Sequence, residues 1–102
     1  MSVMEIVRTT AVEGKAEELR AVLEKAMPKF AETAGCLGAR AMQAVESEDP
    51  HVFMLLIEWD SVEVHLAWRD SDLESRVWFM ENVRPLMGGN NLTGHYLQFV
   101  EA

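Results

Sequence analysis

The 102-residue sequence is short of cysteine, of positive charge and of long apolar runs. Its single cysteine, Cys36, has no second thiol with which to form an internal disulfide or a zinc site, so we expect it to be a small buried side chain. The longest apolar run, Val52 to Ile57, is far below the ~20 residues that a membrane span requires. Residues 1–5 lack the basic start of a signal peptide. These absences predict a cytoplasmic protein with no membrane partner.

The charge balance also excludes a class of partner. Lys and Arg number 9 against 17 Asp and Glu, which gives a formal net charge of -8. Such an excess of acid repels phosphate backbones and anionic lipid surfaces. We therefore expect no nucleic-acid partner.

No internal repeat, low-complexity tract or Pro/Gly/Ser linker divides the sequence. Residues 1–102 therefore predict a single domain. A domain of this size buries only about 60–65% of the surface that its unfolded chain exposes, so a partner subunit would add stability.

The first half of the chain predicts three strands and one helix. Residues Val3 to Ala11 are rich in β-branched side chains and predict a strand. A helix is expected from Lys15, with Pro28 bending it near its last turns and Gly35 stopping it. Its apolar residues recur with helical spacing: Leu19, Val22, Leu23, Ala26, Met27, Phe30 and Ala34.

Two further strands are predicted over Leu37–Glu46 and His51–Trp59, joined by a polar turn at Glu48-Asp49-Pro50. In the second of them, alternate residues on both faces are apolar. Since a helix-covered sheet normally leaves its other face polar, something must cover this second face.

The second half predicts two helical pieces and a last strand. Asp60 lies three residues before Glu63, a spacing typical of a helix start, and a short helix should run to about Trp68. A second piece begins near Ser71, carries Leu73, Val77, Met80 and Val83 on one side, and ends near Pro85. The loop Gly88–Asn91 then leads to a strand over Thr93–Val100. The order βαββαβ indicates a ferredoxin-like α+β fold with a four-stranded antiparallel sheet.

With these elements in place, three segments resemble the antibiotic-biosynthesis-monooxygenase family. They are Ile57–His65 with the following Trp68–Ser71, the pair His95-Tyr96, and the turn Gly35–Gly38. The resemblance implies a homodimer, in which two sheets pack face to face as a dimeric α+β barrel. It also implies a pocket between the sheet and the helices of each subunit. Monooxygenases of this family use no flavin, haem or metal cofactor and oxidise phenols and quinols.

His65 is the first candidate for a catalytic base, because an imidazole titrates near neutral pH and this one lies at the family's recurring histidine. The alternative is a structural histidine bonded to a neighbouring strand. No P-loop, GxGxxG or metal-spaced His/Cys set accompanies it. Any catalysis must therefore depend on single, well-placed side chains.

Large flat side chains are concentrated between residues 59 and 78. Trp59, Trp68 and Trp78 are candidates to hold an aromatic substrate, with a place in the core as the alternative. Trp78 departs from the predicted helix stripe and is the favoured pocket wall. It also stands ten residues after Trp68, where haem-degrading relatives carry an axial histidine, so haem chemistry is not expected.

The remaining candidates are polar. His95 and Tyr96 are adjacent in a strand, so one of them should face the pocket and the other should not. Arg40 and Arg84 are candidates to hold an anionic substrate or a developing phenolate, and ion pairing with a carboxylate is the alternative. Asn82 is a candidate neutral donor or a surface residue.

The sequence thus favours a cofactor-independent monooxygenase or related oxidoreductase acting on a small aromatic, phenolic or quinol-like molecule. An isomerase of a small carbonyl compound remains open, since it also needs one base and one oxyanion donor. So does a non-catalytic dimer that binds a metabolite.

Overall fold

The computed structural model describes residues 1–46, 51–89 and 91–102, which form a four-stranded sheet with helices on one face. In chain order the elements are β1 (Val3–Thr10), α1 (Ala16–Ala31), β2 (Cys36–Gln43), β3 (Val52–Trp59), α2 (Val62–Arg69), α3 (Glu74–Asn82), a 3₁₀ turn (Arg84–Leu86) and β4 (Leu92–Tyr96). The strand order is β2-β3-β1-β4, and each neighbouring pair is antiparallel. The predicted ferredoxin-like α+β fold is confirmed.

Helix α1 supplies much of the core. Its buried residues are Leu19, Leu23, Ala26 and Phe30, all members of the predicted stripe. The helix ends at Ala31 rather than Ala34, because the chain tightens into a turn in which the Thr33 amide donates to the Phe30 carbonyl. Gly35 then takes a φ of +86°, a left-handed conformation that favours glycine. The glycine stop is confirmed.

The sheet has two different faces. On the helix side, the β3 residues Phe53, Leu55, Ile57 and Trp59 are all buried. On the other side, Met54 and Leu56 are half-buried, while Leu92 and Tyr96 of β4 are exposed. The two faces of β3 are apolar as predicted, and no described helix of this chain covers the second one.

The starts and faces of the later helices differ from prediction. Helix α2 is capped by Ser61 rather than Asp60, since the Ser61 hydroxyl accepts the Val64 amide at 3.1 Å. Of the predicted stripe along α3, Val83 at its end is buried, but the other three members are not. The exposed members of that stripe are Leu73, Val77 and Met80. Phe79 is buried instead, because its ring packs between Phe30 and Trp68 and removes more apolar surface from water.

Several predicted boundaries also shift. Strand β2 ends at Gln43 rather than Glu46, and β4 ends at Tyr96 rather than Val100. The predicted turn at Glu48-Asp49-Pro50, and Asn90 of the predicted loop, lie outside the described residues. None of the helices in the described ranges combines the length and apolar character that crossing a bilayer demands.

Cys36 is half-buried beside the core rather than fully enclosed. Its Sγ lies 3.5 Å from the Gly38 carbonyl, to which the thiol donates. Burial raises the pKa of the Cys36 thiol, since a thiolate loses hydration there. An unreactive packing residue is the role that these surroundings support.

Candidate active site

Two cavities of similar size flank the helices, and they differ in chemistry. One, of about 420 Å³, lies between α1 and the end of β2 and is lined by residues such as Leu23, Met27 and Met42. The other, of about 500 Å³, lies between the sheet and the helical segments α2 and α3. The second brings a buried carboxylate and two histidines together beside three aromatic rings, and we call it the relay pocket. Its most informative lining residues are Glu5, His65, Trp68, Arg76, Arg84 and His95.

A buried carboxylate forms the floor of the relay pocket. Glu5 lies in β1 on the helix-facing side, in register with His95 of β4, and is 7% exposed. Its Oε1 accepts the Trp59 indole N–H at 3.0 Å and lies 3.2 Å from Nε2 of His65. A buried carboxylate is costly unless it is paired or hydrogen-bonded, and here the Trp59 indole donates to it while the His65 ring lies within ion-pair distance.

The carboxylate continues into a chain of two imidazoles. His65, in α2, is 4% exposed, and its Nδ1 lies 2.7 Å from Nε2 of His95. Strand β4 presents the more exposed His95 ring on the helix-facing side. The chain Glu5–His65–His95 therefore runs from the protein interior to the pocket wall, and we refer to it as the relay.

Aromatic rings enclose the relay. The His65 ring stacks on Trp59, with ring centroids 5.2 Å apart, and faces Trp68 at 6.2 Å. Phe30 lies 5.5 Å from Trp68, and Phe79 closes the cluster. Such walls give a flat substrate an apolar surface of matching shape.

Hydrogen bonds fix the orientation of the Trp68 ring. Its indole N–H donates to Ser75 Oγ at 2.9 Å, and that oxygen lies 2.9 Å from Thr33 Oγ1. The Thr33 hydroxyl also lies 2.7 Å from the Lys29 carbonyl. This chain of polar groups ties α2 to α3 and α1, so the Trp68 side of the relay pocket is preorganised.

Three arginines bring positive charge to the relay pocket. Arg69, Arg76 and Arg84 all line it. The guanidinium of Arg76 lies over the Trp68 ring, 5.2 Å from the centroid. Burial lowers the pKa of Arg76, and the nearby charge of Arg69 lowers it further. The relay pocket thus combines a histidine pair with a cationic rim.

The segment after α3 is fastened to the end of β1. The amides of Val12 and Gly88 donate to Leu86 and Thr10 carbonyls at 2.9 Å and 2.6 Å. A side chain at Gly88 would stand 2.5 Å from the Thr10 oxygen, so glycine is needed for this close approach. Beyond it, Asn91 accepts a hydrogen bond from the Thr9 hydroxyl through Oδ1. These contacts bring Met87 and Asn91 to the pocket wall.

A family model described as antibiotic biosynthesis monooxygenase matches residues 2–85. The chain belongs to this family. No curated protein matches the sequence significantly. Among the described residues, no group of three or more His, Cys, Asp or Glu side chains is arranged to hold a metal ion.

Solved structures of the antibiotic biosynthesis monooxygenase group share the fold. One from Bordetella bronchiseptica has a TM-score of 0.83 at 21% identity, covering 97% of this chain and 98% of that one. One from Nitrosomonas europaea has a TM-score of 0.77 at 15% identity, covering 93% and 88%. SnoaB, a cofactor-independent oxygenase from Streptomyces nogalater, has a TM-score of 0.78 at 14% identity, covering 98% and 95%. These identities support a common fold rather than a common substrate.

Four of the residues selected from sequence line the relay pocket of this family member: His65, Trp68, Arg84 and His95. Register resolves the choice between His95 and Tyr96, because His95 pairs with Glu5 on the helix-facing side. Tyr96 lies on the opposite face and is 56% exposed. Trp59 is fully buried behind the pocket wall, and its indole N–H donates a hydrogen bond to Glu5, which does line the pocket.

The other selected residues lie elsewhere. Arg40 pairs with Leu56 in the sheet and so lies on the face away from the helices. Trp78, the favoured pocket wall, lies outside the relay pocket beneath the Lys29 ammonium, which is 5.0 Å from its ring. Asn82 donates from its amide to the Trp78 carbonyl at 2.9 Å, which is a local helix contact. Trp78 departs from the predicted stripe because α3 is rotated toward Phe79, not because it faces the pocket.

Sequence reasoning missed Glu5, Arg69 and Arg76. One signal was present for Glu5, since it interrupts an alternation in β1 whose other helix-facing members are Val3, Val7 and Thr9. A charged residue on a core-facing position indicates either a partner or a functional role. The two arginines carried no comparable signal, because arginine on a helix is ordinarily a solvated side chain.

Proposed function

We propose that this protein is a monooxygenase that needs no bound cofactor and oxidises a small aromatic, phenolic or quinol-like substrate in the relay pocket. Membership of the antibiotic biosynthesis monooxygenase family supports the reaction class. The single observation that carries the proposal is the relay, a buried carboxylate and two imidazoles ending beside aromatic walls.

The contacts of the relay support the choice of a base. A neutral imidazole has one donor and one acceptor nitrogen. Because the Glu5 carboxylate can only accept, Nε2 of His65 carries the proton and Nδ1 of His65 is the acceptor. Nε2 of His95 must then be the donor to His65, which leaves Nδ1 of His95 as the basic nitrogen. The role of base that the sequence suggested for His65 moves to His95.

The proposed reaction begins with proton transfer. Nδ1 of His95 takes the acidic proton of the substrate, and the imidazolium that forms keeps its Nε2–H bond to His65. The charge of Glu5 stabilises this state through His65. The electron-rich substrate anion then reacts with dioxygen. One oxygen atom enters the substrate as a carbonyl oxygen, and the other leaves as water with two substrate hydrogens, the proton taken by His95 and the hydrogen lost from the oxidised carbon.

The walls of the relay pocket suit this chemistry. Trp68, Phe30 and Phe79 offer flat apolar surfaces, and such surroundings exclude water from an oxygen-sensitive anion. A rigid Trp68, held by Ser75, keeps the substrate ring in one plane beside His95.

Oxygen uptake by the purified protein tests the proposal. With a panel of anthrones and quinols, the wild type should consume oxygen and yield a product enriched by one atom from labelled dioxygen. His95→Ala and His65→Ala should each lower turnover about 10²–10⁴-fold, the usual contribution of acid–base catalysis. His51→Ala is the matched control, since His51 directly precedes β3 and does not line the relay pocket. Full turnover in both pocket variants would refute the assignment.

The same experiment separates an isomerase. A base beside cationic donors could also move a proton next to a carbonyl group, with Arg76 or Arg84 stabilising the enolate. An isomerase would convert a carbonyl substrate under nitrogen, with loss of turnover in His95→Ala. Oxygen dependence supports the monooxygenase, and conversion without oxygen contradicts it. Ligand-induced thermal stabilisation with no product would instead favour a binding protein.

We further propose that two copies associate through the second face of the sheet. That face carries half-buried Met54 and Leu56 beside exposed Leu92 and Tyr96. An apolar sheet face of this kind is stabilised when another surface covers it. Light scattering should give twice the 11.5 kDa chain mass. Leu56→Glu should produce a monomer, whereas a monomeric wild type would contradict the proposal.

A further inference from the structure

We infer that the relay pocket selects substrates that carry a carboxylate on the aromatic ring system, bound by Arg76 and Arg84. The inference rests on the proposed function for the location of the site, but it concerns binding and not turnover. The observations that carry it are the charge distribution, the pairing of the arginines and the placement of Arg76 on a tryptophan.

The cationic rim stands out against the composition of the chain. With 9 basic and 17 acidic residues, an arginine in this protein has an excess of carboxylates available for ion pairing. Three of the basic residues nevertheless line one cavity. Among the lining residues that the structure describes, Glu5 is the one acidic side chain, so with neutral histidines they carry a net positive charge.

The arginines differ in how they are paired. Arg69 is exposed and forms a surface ion pair with Asp70 at 3.2 Å. Among the residues that the structure describes, no carboxylate lies within ion-pair distance of Arg76 or Arg84. The relay has already engaged Glu5 through Trp59 and His65. Two guanidinium groups at the relay pocket are therefore available to an external anion.

Arg76 has a specific reason to prefer a bound anion. It is half-buried and its guanidinium lies over the Trp68 ring, so part of its hydration is already lost. The lowered pKa of Arg76 reflects this burial and the repulsion from Arg69, which together outweigh the attraction of the more distant Glu5 and Asp70 carboxylates. An anion placed beside Arg76 offsets both costs, and a planar carboxylate matches the fork of a guanidinium.

The geometry also couples the anion to the ring. Because Arg76 lies over the same tryptophan that forms the aromatic wall, a carboxylate on Arg76 places its attached ring next to Trp68. Arg84, in the 3₁₀ turn after α3, contributes a second positive charge to the same lining. The two arginines thus select a substrate by its negative charge and fix the position of its ring, while His95 takes the proton from that ring system.

Binding of two matched probes tests the inference. We would titrate 3-hydroxy-2-naphthoate and its methyl ester, which differ in charge but share the ring, by calorimetry under nitrogen. The acid should bind at least about tenfold more tightly than the ester, the order expected of one charge-assisted contact. Equal affinities, or preference for the ester, would overturn the inference.

Substitution of the two arginines tests whether the preference for the acid over the ester arises in the relay pocket. Arg76→Gln and Arg84→Gln should each reduce the acid-to-ester ratio about tenfold or abolish it, with the ester affinity changed less than threefold. Arg20→Gln is the matched control, since Arg20 lies on α1 in an exposed pair with Glu24 and does not line this pocket. A ratio that survives both pocket variants, or that Arg20→Gln lowers equally, would overturn the inference.

Two features keep this test independent. Circular dichroism verifies folding of each variant, and the exposed Arg84 provides a second substitution if the half-buried Arg76 proves necessary for folding. Because the titrations exclude oxygen, the charge preference remains measurable even if the protein consumes none. Failure of the anion site and failure of the monooxygenase proposal therefore give different results.

Discussion

Removal of the Glu5 carboxylate probes the interior end of the relay. Two nitrogens lie against this side chain, the Trp59 indole N–H that donates at 3.0 Å and His65 Nε2 at 3.2 Å, which the proposed relay takes as a second donor. Glu5→Ala deletes the acceptor for both. Glu5→Gln keeps a neutral acceptor in the same place and removes only the charge. The two variants therefore separate the loss of hydrogen bonding from the loss of charge.

The expected losses follow from the number of donors. A buried donor left without a partner costs about 1–3 kcal/mol, so Glu5→Ala should lose about 4 kcal/mol of unfolding free energy. A hydrogen bond to a charged group exceeds a neutral one by about 1 kcal/mol, so Glu5→Gln should lose about 2 kcal/mol. For a domain near this size, each kcal/mol corresponds to about 4–8 °C in Tm. The alanine variant should therefore melt about 10 °C below the glutamine variant.

Urea unfolding followed by circular dichroism measures these differences. Glu18→Ala provides the control, because Glu18 forms an exposed pair with Lys15 at 3.2 Å and such pairs contribute about 0–1 kcal/mol. If Glu5→Ala unfolded within 0.5 kcal/mol of the wild type, a threshold at the limit of such measurements, the relay would not be anchored as described. A glutamine variant less stable than the alanine variant would contradict the reasoning as well.

Three other substitutions or treatments test neighbouring features. Gly35→Ala should lower the unfolding free energy by about 3 kcal/mol, because its φ is +86° and its new Cβ would stand 2.4 Å from Val64 Cγ1. Gly14→Ala is the control in the same urea assay and should lower it by only about 1 kcal/mol, because its φ is +77° but no atom lies within 4 Å of the new Cβ. Ser75→Ala should lose about 1–2 kcal/mol and broaden the Trp68 indole N–H signal in NMR spectra, since that donor loses its 2.9 Å acceptor; an unchanged signal would count against the proposed anchoring. The Cys36 thiol should react with iodoacetamide more slowly than free cysteine at pH 8, because burial raises its pKa above 9.0. Burial of the neutral Cys36 thiol stabilises the folded protein fully below the ordinary pKa of 9.0, and this stabilisation is lost as the pH rises through the folded-state pKa. A thiol that reacts like free cysteine in the native protein would refute the burial argument.

The strands and helices were predictable where side-chain periodicity was strong. Helix α1 buries Leu19, Leu23 and Phe30 as the spacing indicated, and β3 alternates as expected. The predicted buried face of α3 was wrong because two competing apolar stripes run along this helix. Local spacing favoured Leu73 and Val77, whereas contact of Phe79 with the aromatic cluster decides the rotation. That contact depends on tertiary structure, which a local pattern does not contain.

The candidate site was predictable only in part. Single residues with distinctive chemistry, such as His65 and Trp68, could be selected from their type and position. The relay could not, because it joins Glu5, His65 and His95 from three elements far apart in the chain. Strand register brings Glu5 opposite His95, and one residue of slip would have presented Tyr96 instead. Trp78 shows the converse, since a prominent side chain close in sequence lies outside the pocket.

The protonation pattern of the two imidazoles tests the central claim most directly. Long-range ¹H–¹⁵N spectra of the labelled protein at about pH 8.5, above the usual histidine range, report which ring nitrogen carries hydrogen. The relay predicts that His65 and His95 both carry it on Nε2, with Nδ1 of His65 accepting and Nδ1 of His95 basic. The Glu5→Gln variant should shift the His65 resonances more than those of His51, which lies outside the relay pocket. Hydrogen on Nδ1 of His65 in the wild type would contradict the relay and remove His95 as the base.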